Sequence, residues 1–542
     1  MFPPAAPRHL VQFNPKKALH AFTDVLVLGG GIAGLRAALA VSTGQRVVVI
    51  SKEKVEISNS AWAQGGIAGV LSPEDSFQDH VNDTLIAGDG LCDEAVVKMV
   101  VEEAPHQISD LIQMGVQFDH HNGHLALTTE GGHRHARIVH ALGDATGHEV
   151  MRGMIARARS APNIEIKERT FTLDLLTHES RCVGVLVATS RGERLAIWAK
   201  ATILASGGAA RIYRETTNSS VATGDGMAAA YRAGALLRDM EFMQFHPTLL
   251  YVAGSSRSLI SEALRGEGAF LRDKDGTRFM VGEDPREERA TRDIVARAIM
   301  RAMARTRHSC VYLDLSHLNS EKVRSRFPAI GRACAEFGLD LTKDLIPVRP
   351  GAHYTIGGVN TDLQGRTSLA GLYAAGEVSS TGLHGANRLA SNSLIEGLVF
   401  GKICGEAAGW EAANQPDTFQ VPPISDEARR ETGPELDLQD ILNSLRSLMG
   451  RTAGIERDGT EMAESLEQLR FWCSYVLRRE FNQQEGWELS NLLTISSLML
   501  GSAKVREESR GTHFRRDFPK RDDFHWRKRV TCKPGCNICA NA

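Results

Sequence analysis

The stretch Gly29-Gly30-Gly31-Ile32-Ala33-Gly34 follows the apolar run Val25-Leu26-Val27-Leu28 and precedes an alanine-rich segment. This order predicts a β-strand, a tight glycine turn and the start of an α-helix. Gly29 permits the turn, Gly31 lets the backbone approach a ligand, and Gly34 lets the helix pack closely on the strand. Because a helix N-terminus offers unpaired N–H groups and a positive dipole end, the turn is predicted to bind a pyrophosphate.

The surrounding sequence extends this prediction to a whole domain. Residues 32–43 are predicted to be helical with Gly44 as the C-cap, and residues 46–50 to form a second buried parallel strand. Two further strand-to-glycine junctions lie far downstream, where residues 199–204 lead to Ser206-Gly207-Gly208 and residues 369–375 lead to Gly376-Glu377. Their wide separation predicts one Rossmann-like α/β domain whose chain is interrupted by an insertion.

At 542 residues the chain is long enough for two or three domains. We predict a dinucleotide-binding domain in two segments, residues 21–239 and 355–424, interrupted by an α+β capping domain at residues 240–354. A C-terminal helical domain with a cysteine-containing tail, residues 425–542, follows a proline-rich linker at 415–425. Residues 1–20 carry four prolines and are predicted to be a disordered or loosely docked lead-in.

Composition and charge exclude several classes of protein. The net charge of −2 gives no electrostatic reason to expect a nucleic-acid or anionic-membrane partner. No uninterrupted apolar stretch reaches the roughly 18 to 20 residues of a membrane-spanning helix, and the lead-in lacks the apolar core of a signal peptide. Six of the nine cysteines are scattered singly between Cys92 and Cys473, which favours a reducing cytoplasm over a secreted disulfide framework.

Seven runs of sequence carry a family resemblance, and they occur in a fixed order. They are residues 29–34 and then Ala63-Gln64-Gly65-Gly66-Ile67, Glu130-Gly131-Gly132-His133, Gln244-Phe245-His246-Pro247-Thr248, Glu262-Ala263-Leu264-Arg265-Gly266-Glu267-Gly268, His353-Tyr354-Thr355-Ile356-Gly357-Gly358 and residues 384–394, which read HGANRLASNSL. In this order they resemble the succinate dehydrogenase and fumarate reductase flavoprotein superfamily and, within it, the L-aspartate oxidases.

The resemblance implies a function. It implies FAD-dependent oxidation of L-aspartate to iminoaspartate, with oxygen or fumarate as the electron acceptor. It also implies that the iminoaspartate is supplied to quinolinate synthase in the first step of NAD biosynthesis.

Two positions distinguish the branches of the superfamily. Where the succinate and fumarate enzymes bind flavin covalently through a histidine, this chain has Asn59, so the resemblance implies non-covalent FAD. The aspartate oxidases share Glu130 where the other branch tends to have phenylalanine. A buried acid beside a purely anionic ligand would be repelled or protonated, so Glu130 predicts a substrate with a positive group.

A first set of residues is predicted to contact the flavin. The glycine turn meets the pyrophosphate, and Glu377 would place a carboxylate on a ribityl or ribose hydroxyl. A helix starting near Ser391 could aim its positive end at the flavin ring. The full predicted set is Gly29, Gly31, Ile32, Ala33, Gly34, Lys52, Asn59, Ser60, Gln64, Gly65, Gly66, Asp225, Glu377, Ser393 and Leu394.

A second set is predicted to bind and convert the substrate. Guanidinium groups grip carboxylates bidentately and imidazoles donate to them, so a dicarboxylate held at both ends is the expected ligand. The predicted substrate-binding residues are Glu130, His246, Ser261, Glu262, Arg292, His353 and Arg388. The predicted catalytic residues are Arg292, Glu130, His246 and Arg265, with Arg292 as the proton donor that the resemblance implies when fumarate is reduced.

Alternatives remain open from the sequence alone. The chain could be a soluble fumarate reductase or succinate-oxidising flavoprotein, or a flavin-binding subunit without its own turnover. No metal is predicted at the histidine-rich patch formed by His120, His121, His124, His133, His135 and His140, because its spacing matches no closed ligand set. Cys532, Cys536 and Cys539 have spacings compatible with zinc or an iron–sulfur cluster, although a flexible reduced tail is the simpler interpretation.

Overall fold

The computed structural model describes residues 7–255, 258–417, 421–427 and 435–541. Its helices are α1 (Ile32–Ala40), α2 (Phe77–Ala87), α3 (Glu94–Gln113), α4 (Thr146–Ser160), α5 (Asp225–Arg232), α6 (Ala263–Gly266), α7 (Arg292–Thr306), α8 (Ser320–Arg326), α9 (Pro328–Ala335), α10 (Asn392–Ala413), α11 (Leu438–Thr452), α12 (Gly459–Val476), α13 (Gln484–Val505) and α14 (Asp523–Trp526). Single 3₁₀ turns lie at Pro15–Lys17, Ala210–Ile212, Glu287–Arg289 and Gly376–Val378.

The strands range from two residues to eleven. They are β1 (Leu19–Leu28), β2 (Val47–Ile50), β3 (Ile67–Ala68), β4 (His120–His121), β5 (His124–Leu125), β6 (Leu127–Thr128), β7 (Ile138–Val139), β8 (Ile164–Lys167), β9 (Thr170–His178), β10 (Arg181–Thr189), β11 (Arg194–Leu204), β12 (Leu237–Arg238), β13 (Met243–Leu250), β14 (Phe270–Arg272), β15 (Val311–Asp314), β16 (Ile346–Thr355), β17 (Gly358–Asn360), β18 (Leu372–Ala374), β19 (Ser379–Ser380), β20 (Glu456–Arg457), β21 (Phe514–Arg515), β22 (Arg529–Cys532) and β23 (Cys539–Asn541).

A seven-stranded sheet forms the centre of the protein and confirms the predicted α/β class. Strands β8, β2, β1 and β11 lie side by side and run parallel, β18 pairs in parallel with the end of β11, and β10 and β9 add an antiparallel edge. The buried strand β2 consists entirely of valine and isoleucine, as expected for a parallel strand covered on both faces. The three predicted strand-to-glycine junctions therefore meet at one end of a single sheet.

The predicted insertion folds around a sheet of its own. Strands β13, β16, β15 and β14 pair antiparallel in that order, and α7, α8 and α9 complete a separate apolar core that includes Ile299, Val311 and Phe327. After residue 435 the chain is mainly helical, with α13 almost wholly buried against its neighbours. The predicted domain boundaries stay predictions, and β16 crosses the one placed after residue 354.

Two local predictions were wrong. Helix α1 ends at Ala40 and its C-cap is Val41 in an extended conformation, so Gly44 is not a cap and lies in the following turn. The described part of the lead-in is docked: Leu10, Val11 and Phe13 are buried against the edge of the large sheet, and Phe13 exchanges backbone hydrogen bonds with Asp426. The four prolines indicated disorder, but Leu10, Val11 and Phe13 pack against residues that are distant in sequence. Residues 1–6 and part of the predicted linker, 418–420, lie outside the described residues.

Glycines on α10 let it lie directly against α1. Gly401 and Gly405 face the α1 backbone, and a Cβ added at Gly405 would lie 2.2 Å from the carbonyl oxygen of Ala37. Glycine at four-residue intervals thus replaces the side-chain layer that usually separates packed helices. The same close contact brings Gly397 of α10 against Ile32 and Ala33 at the start of α1.

We expect Gly405→Ala to destabilise the protein by about 2 to 3 kcal/mol, because the added methyl group meets backbone that cannot move aside. Chemical unfolding of the apoprotein, followed by circular dichroism, measures the loss. Gly450→Ala on α11 is the matched control, since its added methyl meets nothing within 4 Å. It should raise stability by about 0.5 kcal/mol or more. Equal effects from both substitutions would contradict the close packing of α1 and α10.

Candidate active site

One large cavity, with an empty volume of about 1850 Å³ including its open mouth, runs from the glycine turn to the capping domain. It brings together nearly every residue predicted from the sequence. Those lining it are Gly29, Gly31, Ile32, Ala33, Lys52, Asn59, Ser60, Gln64, Gly65, Gly66, Glu130, Asp225, His246, Ser261, Glu262, Arg292, His353, Glu377, Arg388, Ser393 and Leu394. Gly34 and Arg265 are the two exceptions and lie behind the cavity wall.

The glycine turn has the shape of an anion cradle. Gly29 has a φ of +123°, and a Cβ there would lie 2.1 Å from the carbonyl oxygen of Ala205. Gly31 precedes α1 and is open to the cavity, where an added Cβ would meet only Ser60 Oγ, at 3.2 Å. A Cβ on Gly34 would lie 1.9 Å from the carbonyl oxygen of Gly29, so Gly34 serves packing. The cradle fits a pyrophosphate-bearing dinucleotide such as FAD.

Lys52 lies at the end of the cavity nearest the C-terminal helices. Its ammonium donates to Asp225 at 2.7 Å and to Glu488 at 2.8 Å. Burial opposes the charge, but these two carboxylates outweigh it and raise the pKa of Lys52. Glu53 also lines the cavity and supplies an acid near the end of β2, where dinucleotide folds bind ribose hydroxyls.

Asn59 and Glu377 lie on the cavity wall between the two ends. The Asn59 amide donates to Asn218 Oδ1 at 2.7 Å and accepts from the Ser219 backbone N–H at 3.0 Å, so its orientation is fixed. Glu377 accepts the backbone N–H of Thr355 at 2.9 Å. Burial raises the pKa of Glu377 to about 7, which suits a carboxyl group that exchanges hydrogen bonds with ligand hydroxyls.

Two arginines converge at the capping-domain end, each from a different element. Arg292 is the first residue of α7, and Arg388 lies in the loop before α10. The side-chain oxygen of Gln244 accepts from both guanidinium groups, at 3.1 Å each. Burial and the neighbouring Arg292 lower the pKa of Arg388 to about 10, as expected of two cations held together for an anionic ligand.

Glu262 orients one of these arginines from behind. Its Oε2 accepts from Arg292 Nε at 2.6 Å, and its Oε1 lies 3.5 Å from Arg265 Nη2. Burial would raise the pKa of Glu262, but Arg292 and Arg265 outweigh it and lower that pKa. A Cβ on Gly131 would lie only 2.1 Å from Glu262, which explains the glycine after Glu130. Arg265 therefore does not line the cavity and acts on it only by its ion pair with Glu262.

Two buried histidines face the same space. The Thr248 backbone N–H donates to His246 Nδ1 at 3.2 Å, which places the ring proton on Nε2. That Nε2 is buried and has no hydrogen-bond partner within the described ranges. Burial, reinforced by Arg292, lowers the pKa of His246 and of His353 well below the ordinary value. His246 therefore offers a neutral N–H donor to a ligand oxygen.

Glu130 adds an acidic side chain to this space, in which the Glu262 carboxylate is already paired with Arg292. The residue is 5% exposed, and its Oε2 accepts from Ser391 Oγ at 2.6 Å. Its Oε1 is buried and accepts no hydrogen bond from the described part of the chain. His140 Nε2 lies 3.8 Å away, but burial lowers the pKa of His140 to about 3, so the ring is neutral. A buried carboxylate oxygen without a partner calls for a donor from the ligand.

Some contributing residues had no sequence signal beyond their place in a motif. Gln244, which accepts hydrogen bonds from both arginines, lies in one of the family-like runs but was not predicted as a site residue. Its position between the arginines depends on the pairing of β13 with β16. Tyr354 lines the cavity with its ring 4.7 Å from the Arg388 guanidinium carbon. Ser261 lies on the cavity wall, and its Oγ accepts from the Ala263 backbone N–H at 3.3 Å.

The histidine-rich patch divides into two groups. His120, His121 and His124 lie on the exposed hairpin β4–β5, whereas His133 and His140 are buried behind Glu130. Within the described ranges, one group of three potential metal ligands converges, namely Asp75, Asp79 and His135. Arg137 already makes a bidentate ion pair with Asp75 at 2.7 and 2.8 Å, so an ion pair accounts for this cluster.

Buried histidines behind the site predict a pH-dependent stability. His80 donates to Asn392 at the start of α10 at 3.0 Å, and burial lowers the pKa of His80 to about 3. Its unfolded pKa is near 6.5, so its contribution is complete above pH 6.5 and is lost as the pH falls toward 3. At pH 5 the loss is about 2 kcal/mol for this residue.

We therefore expect His80→Gln to show a smaller drop in unfolding free energy between pH 7.5 and 5.0 than the parent protein. Glutamine retains a donor for Asn392 but does not titrate. Urea unfolding of the apoprotein at the two pH values measures the difference. The exposed His121→Gln serves as control and should leave the drop unchanged. A parent-like drop in His80→Gln would show that His80 is not held neutral.

The cysteine tail folds as a hairpin. Strand β22 pairs with β12 on one side and with β23 on the other, and Cys532 is buried 3.2 Å from Ser502 Oγ. Cys536 and Cys539 are exposed. The interpretation as a flexible tail was wrong, because β22 pairs through its backbone with β12 and β23 in one sheet. The three thiols are not among the converging ligand groups of the described residues.

Comparison with known proteins agrees with this geometry. An FAD binding domain family matches residues 24–394, and a fumarate reductase flavoprotein C-terminal family matches residues 442–537. The chain is 46% identical to L-aspartate oxidase 1 of Ralstonia nicotianae, over 92% of this chain and 96% of the relative. It is 43% identical to L-aspartate oxidase of Streptomyces coelicolor, over 94% and 91% respectively.

A solved structure is similar over nearly the whole chain. A quinol–fumarate reductase with menaquinol molecules superposes with a TM-score of 0.88 at 32% identity, covering 96% of this chain and 97% of the other. Among the helices of the described residues, none is both long and apolar enough to cross a membrane.

Proposed function

The chain belongs to the L-aspartate oxidase family of the succinate dehydrogenase and fumarate reductase flavoproteins, and on that premise we propose that it oxidises L-aspartate to iminoaspartate with FAD. The observation that carries the proposal is the buried Oε1 of Glu130, which accepts no hydrogen bond from the described residues and lies in the same cavity as Arg292 and Arg388. A dicarboxylate without an amine would leave that oxygen buried and unpaired, whereas the ammonium of aspartate satisfies it.

Substrate binding divides between opposite charges. Arg292, Arg388 and the neutral N–H of His246 hold the two carboxylates, and Glu130 accepts from the ammonium. Because the two carboxylates and the ammonium are all held, the C2–H bond has one orientation in the cavity. Such fixed orientation of the reacting bond lowers the entropic cost of reaching the transition state. Glu130 Oε1 also takes the proton that the nitrogen loses as the C=N bond forms.

FAD, when bound, supplies the acceptor for the hydrogen and electron pair removed from C2. The residues that would hold it are those of the glycine turn, Lys52 and Glu377, together with Ser393 and Leu394 at the start of α10. Attachment is non-covalent, because the Asn59 amide cannot act as the nucleophile that a histidine ring can. Both of its polar atoms are engaged by Asn218 and Ser219.

Oxygen or fumarate then regenerates the oxidised cofactor. For fumarate, Arg292 is the proton donor, and a proton from solvent, passed on through Arg265 and Glu262 behind it, restores its charge. The similarity to a quinol–fumarate reductase supports this second half-reaction. It also keeps a fumarate reductase or succinate oxidase as the alternative function, which the response to aspartate distinguishes.

We place the enzyme at the first step of NAD biosynthesis, where iminoaspartate passes to quinolinate synthase. We place it in the cytoplasm, because buried thiols such as Cys182, Cys334 and Cys404 suit a reducing compartment. Whether the chain turns over by itself is tested by steady-state assay of the isolated, FAD-reconstituted protein. L-aspartate-dependent fumarate consumption without oxygen supports the proposal. Succinate oxidation without aspartate oxidation would support the alternative, and no turnover at all would indicate a non-catalytic subunit.

A further inference from the structure

Three parts of the chain meet on the outer side of the arginine pair. They are the first turn of α7, the loop before α10, and the C-terminal segment 510–514. The first two carry Arg292 and Arg388. The third comes from the C-terminal domain and contributes none of the residues lining the cavity.

The immediate neighbours of the two arginines are bonded to each other. Asp293 Oδ1 accepts from Asn387 Nδ2 at 3.1 Å, so the residue after Arg292 is joined to the residue before Arg388. Asn387 Oδ1 in turn accepts from Gln244 Nε2 at 2.8 Å. The segments that carry the two arginines are therefore joined by side chains that do not line the cavity.

Arg297 extends this connection to the C-terminal segment. One turn along α7, it donates to Asp293 Oδ2 at 2.9 Å and to the carbonyl oxygen of Gly511 at 3.3 Å. Its guanidinium carbon lies 5.3 Å from the centre of the Phe514 ring, within range of a cation–π interaction. The Arg297 and Asp293 side chains are only 17% and 11% exposed, so water screens the pair weakly.

The C-terminal segment is itself firmly seated. The Thr512 backbone N–H donates to the carbonyl oxygen of Ala386 at 3.0 Å, and the Gly511 N–H donates to Asp89 Oδ2 at 2.8 Å. Gly511 has a φ of +52°, and a Cβ there would lie 2.4 Å from the Ala386 oxygen. The segment is thus a fixed support against which both α7 and the Arg388 loop are held.

We propose that Asp293, Asn387 and Arg297 form a bracket that fixes the distance between Arg292 and Arg388 and so sets the affinity for a dicarboxylate. This inference rests on the proposed function, because it takes the ligand of the arginine pair to be a dicarboxylate. All three are positioning residues, since none of them lines the cavity. A displacement of about 1 Å in a clamp is enough to change binding and rate strongly.

The test uses succinate as the probe and the FAD-loaded protein. Binding is followed by the change in flavin absorbance. Arg297→Met keeps an unbranched apolar stem and removes both donors, and we expect it to raise the Kd for succinate about tenfold. The Kd for FAD should stay within about twofold of the parent value, because no bracket residue is among those proposed to hold FAD. Arg301→Met is the matched control: Arg301 lies one turn further along α7 and pairs with Glu283 inside the capping domain, so the Kd for succinate should not change.

A double-mutant cycle distinguishes a bracket, in which Arg297 and Asn387 act together, from two independent effects on the structure of the site. If Arg297 and Asn387 act through the same connection, Arg297→Met combined with Asn387→Ala raises the Kd by less than about thirtyfold, although each alone raises it about tenfold. Multiplication of the two effects to about a hundredfold would overturn the bracket. So would an unchanged Kd in Arg297→Met. If Arg297→Met does not fold, Asp293→Asn replaces it, with the same expectation in the cycle.

The parent protein distinguishes the two levels of failure. If its flavin spectrum responds to succinate but the variants bind as tightly as the parent, only the bracket is wrong. If the parent spectrum does not respond at all, the dicarboxylate site itself is wrong, and both proposals are overturned.

Discussion

Replacing Arg292 by leucine should abolish turnover, with a loss of kcat of about 10³-fold or more in both aspartate oxidation and fumarate reduction. Arg292 lies at the N-terminus of α7, where the helix dipole adds to its positive charge. Its Nε and Nη1 are fixed by Glu262 and Gln244, so the remaining part of the guanidinium is presented to the cavity. Leucine removes the clamp and the proposed proton donor together, and it leaves Glu262 as a buried charge without its main partner.

Stopped-flow reduction by L-aspartate and steady-state fumarate reduction measure the two halves of this effect. Arg292→Lys should recover little, because an ammonium cannot reproduce the two-directional hydrogen bonding of a guanidinium. Arg305→Met, an exposed residue of the same helix that pairs with Asp273, is the control and should retain parent activity. A kcat of Arg292→Leu within tenfold of the parent value would show that Arg292 has no role in catalysis.

The second large effect concerns the negative charge that Glu130 presents to the ammonium of the substrate. Glu130→Gln should lower kcat/KM for L-aspartate about 100-fold, since glutamine has nearly the same shape but no charge for the ammonium. Fumarate reduction driven by an artificial reductant should fall less than about threefold, because fumarate carries no amine. The unequal loss is the informative quantity, and the ratio of the two kcat/KM values measures it.

Ser391→Ala provides a control for the position of Glu130. It removes the 2.6 Å hydrogen bond to Oε2 and leaves the charge, so it should weaken aspartate oxidation far less than Glu130→Gln does. If Glu130→Gln lowers both reactions equally, the carboxylate supports the structure of the site and does not select the amine.

Local sequence patterns predicted most of the FAD-binding domain, because its signals are local. The glycine turn, the valine-rich β2 and the helices of the C-terminal region each depend on side chains within a few residues of one another. Docking of Leu10 and Phe13 could not be predicted in this way, since their partners, Phe171 and Trp198, lie more than a hundred residues away. The end of α1 at Ala40 was missed because a glycine is only one of several ways to terminate a helix.

The sequence predicted which residues form the candidate site better than it predicted the contacts between them. The quoted motifs contained most of the predicted residues that line the cavity, but others, such as Arg292, lie outside them, and nothing in the motifs indicated that Arg265 lies behind Glu262. The bridging role of Gln244 depends on the pairing of β13 with β16 and on the meeting of two domains, which no local pattern encodes. The same holds for the contact of Arg297 with the C-terminal segment, which is more than 200 residues away in sequence.

The central claim is that a cationic clamp and one buried carboxylate together orient an amino dicarboxylate for oxidation beside the flavin. The most direct measurement is anaerobic titration of the FAD-reconstituted protein with L-aspartate, followed by flavin absorbance. We predict that one equivalent of L-aspartate per bound flavin bleaches the yellow colour, whereas D-aspartate and L-alanine do not. A flavin that remains oxidised with L-aspartate, or that is bleached equally by all three amino acids, would contradict the claim.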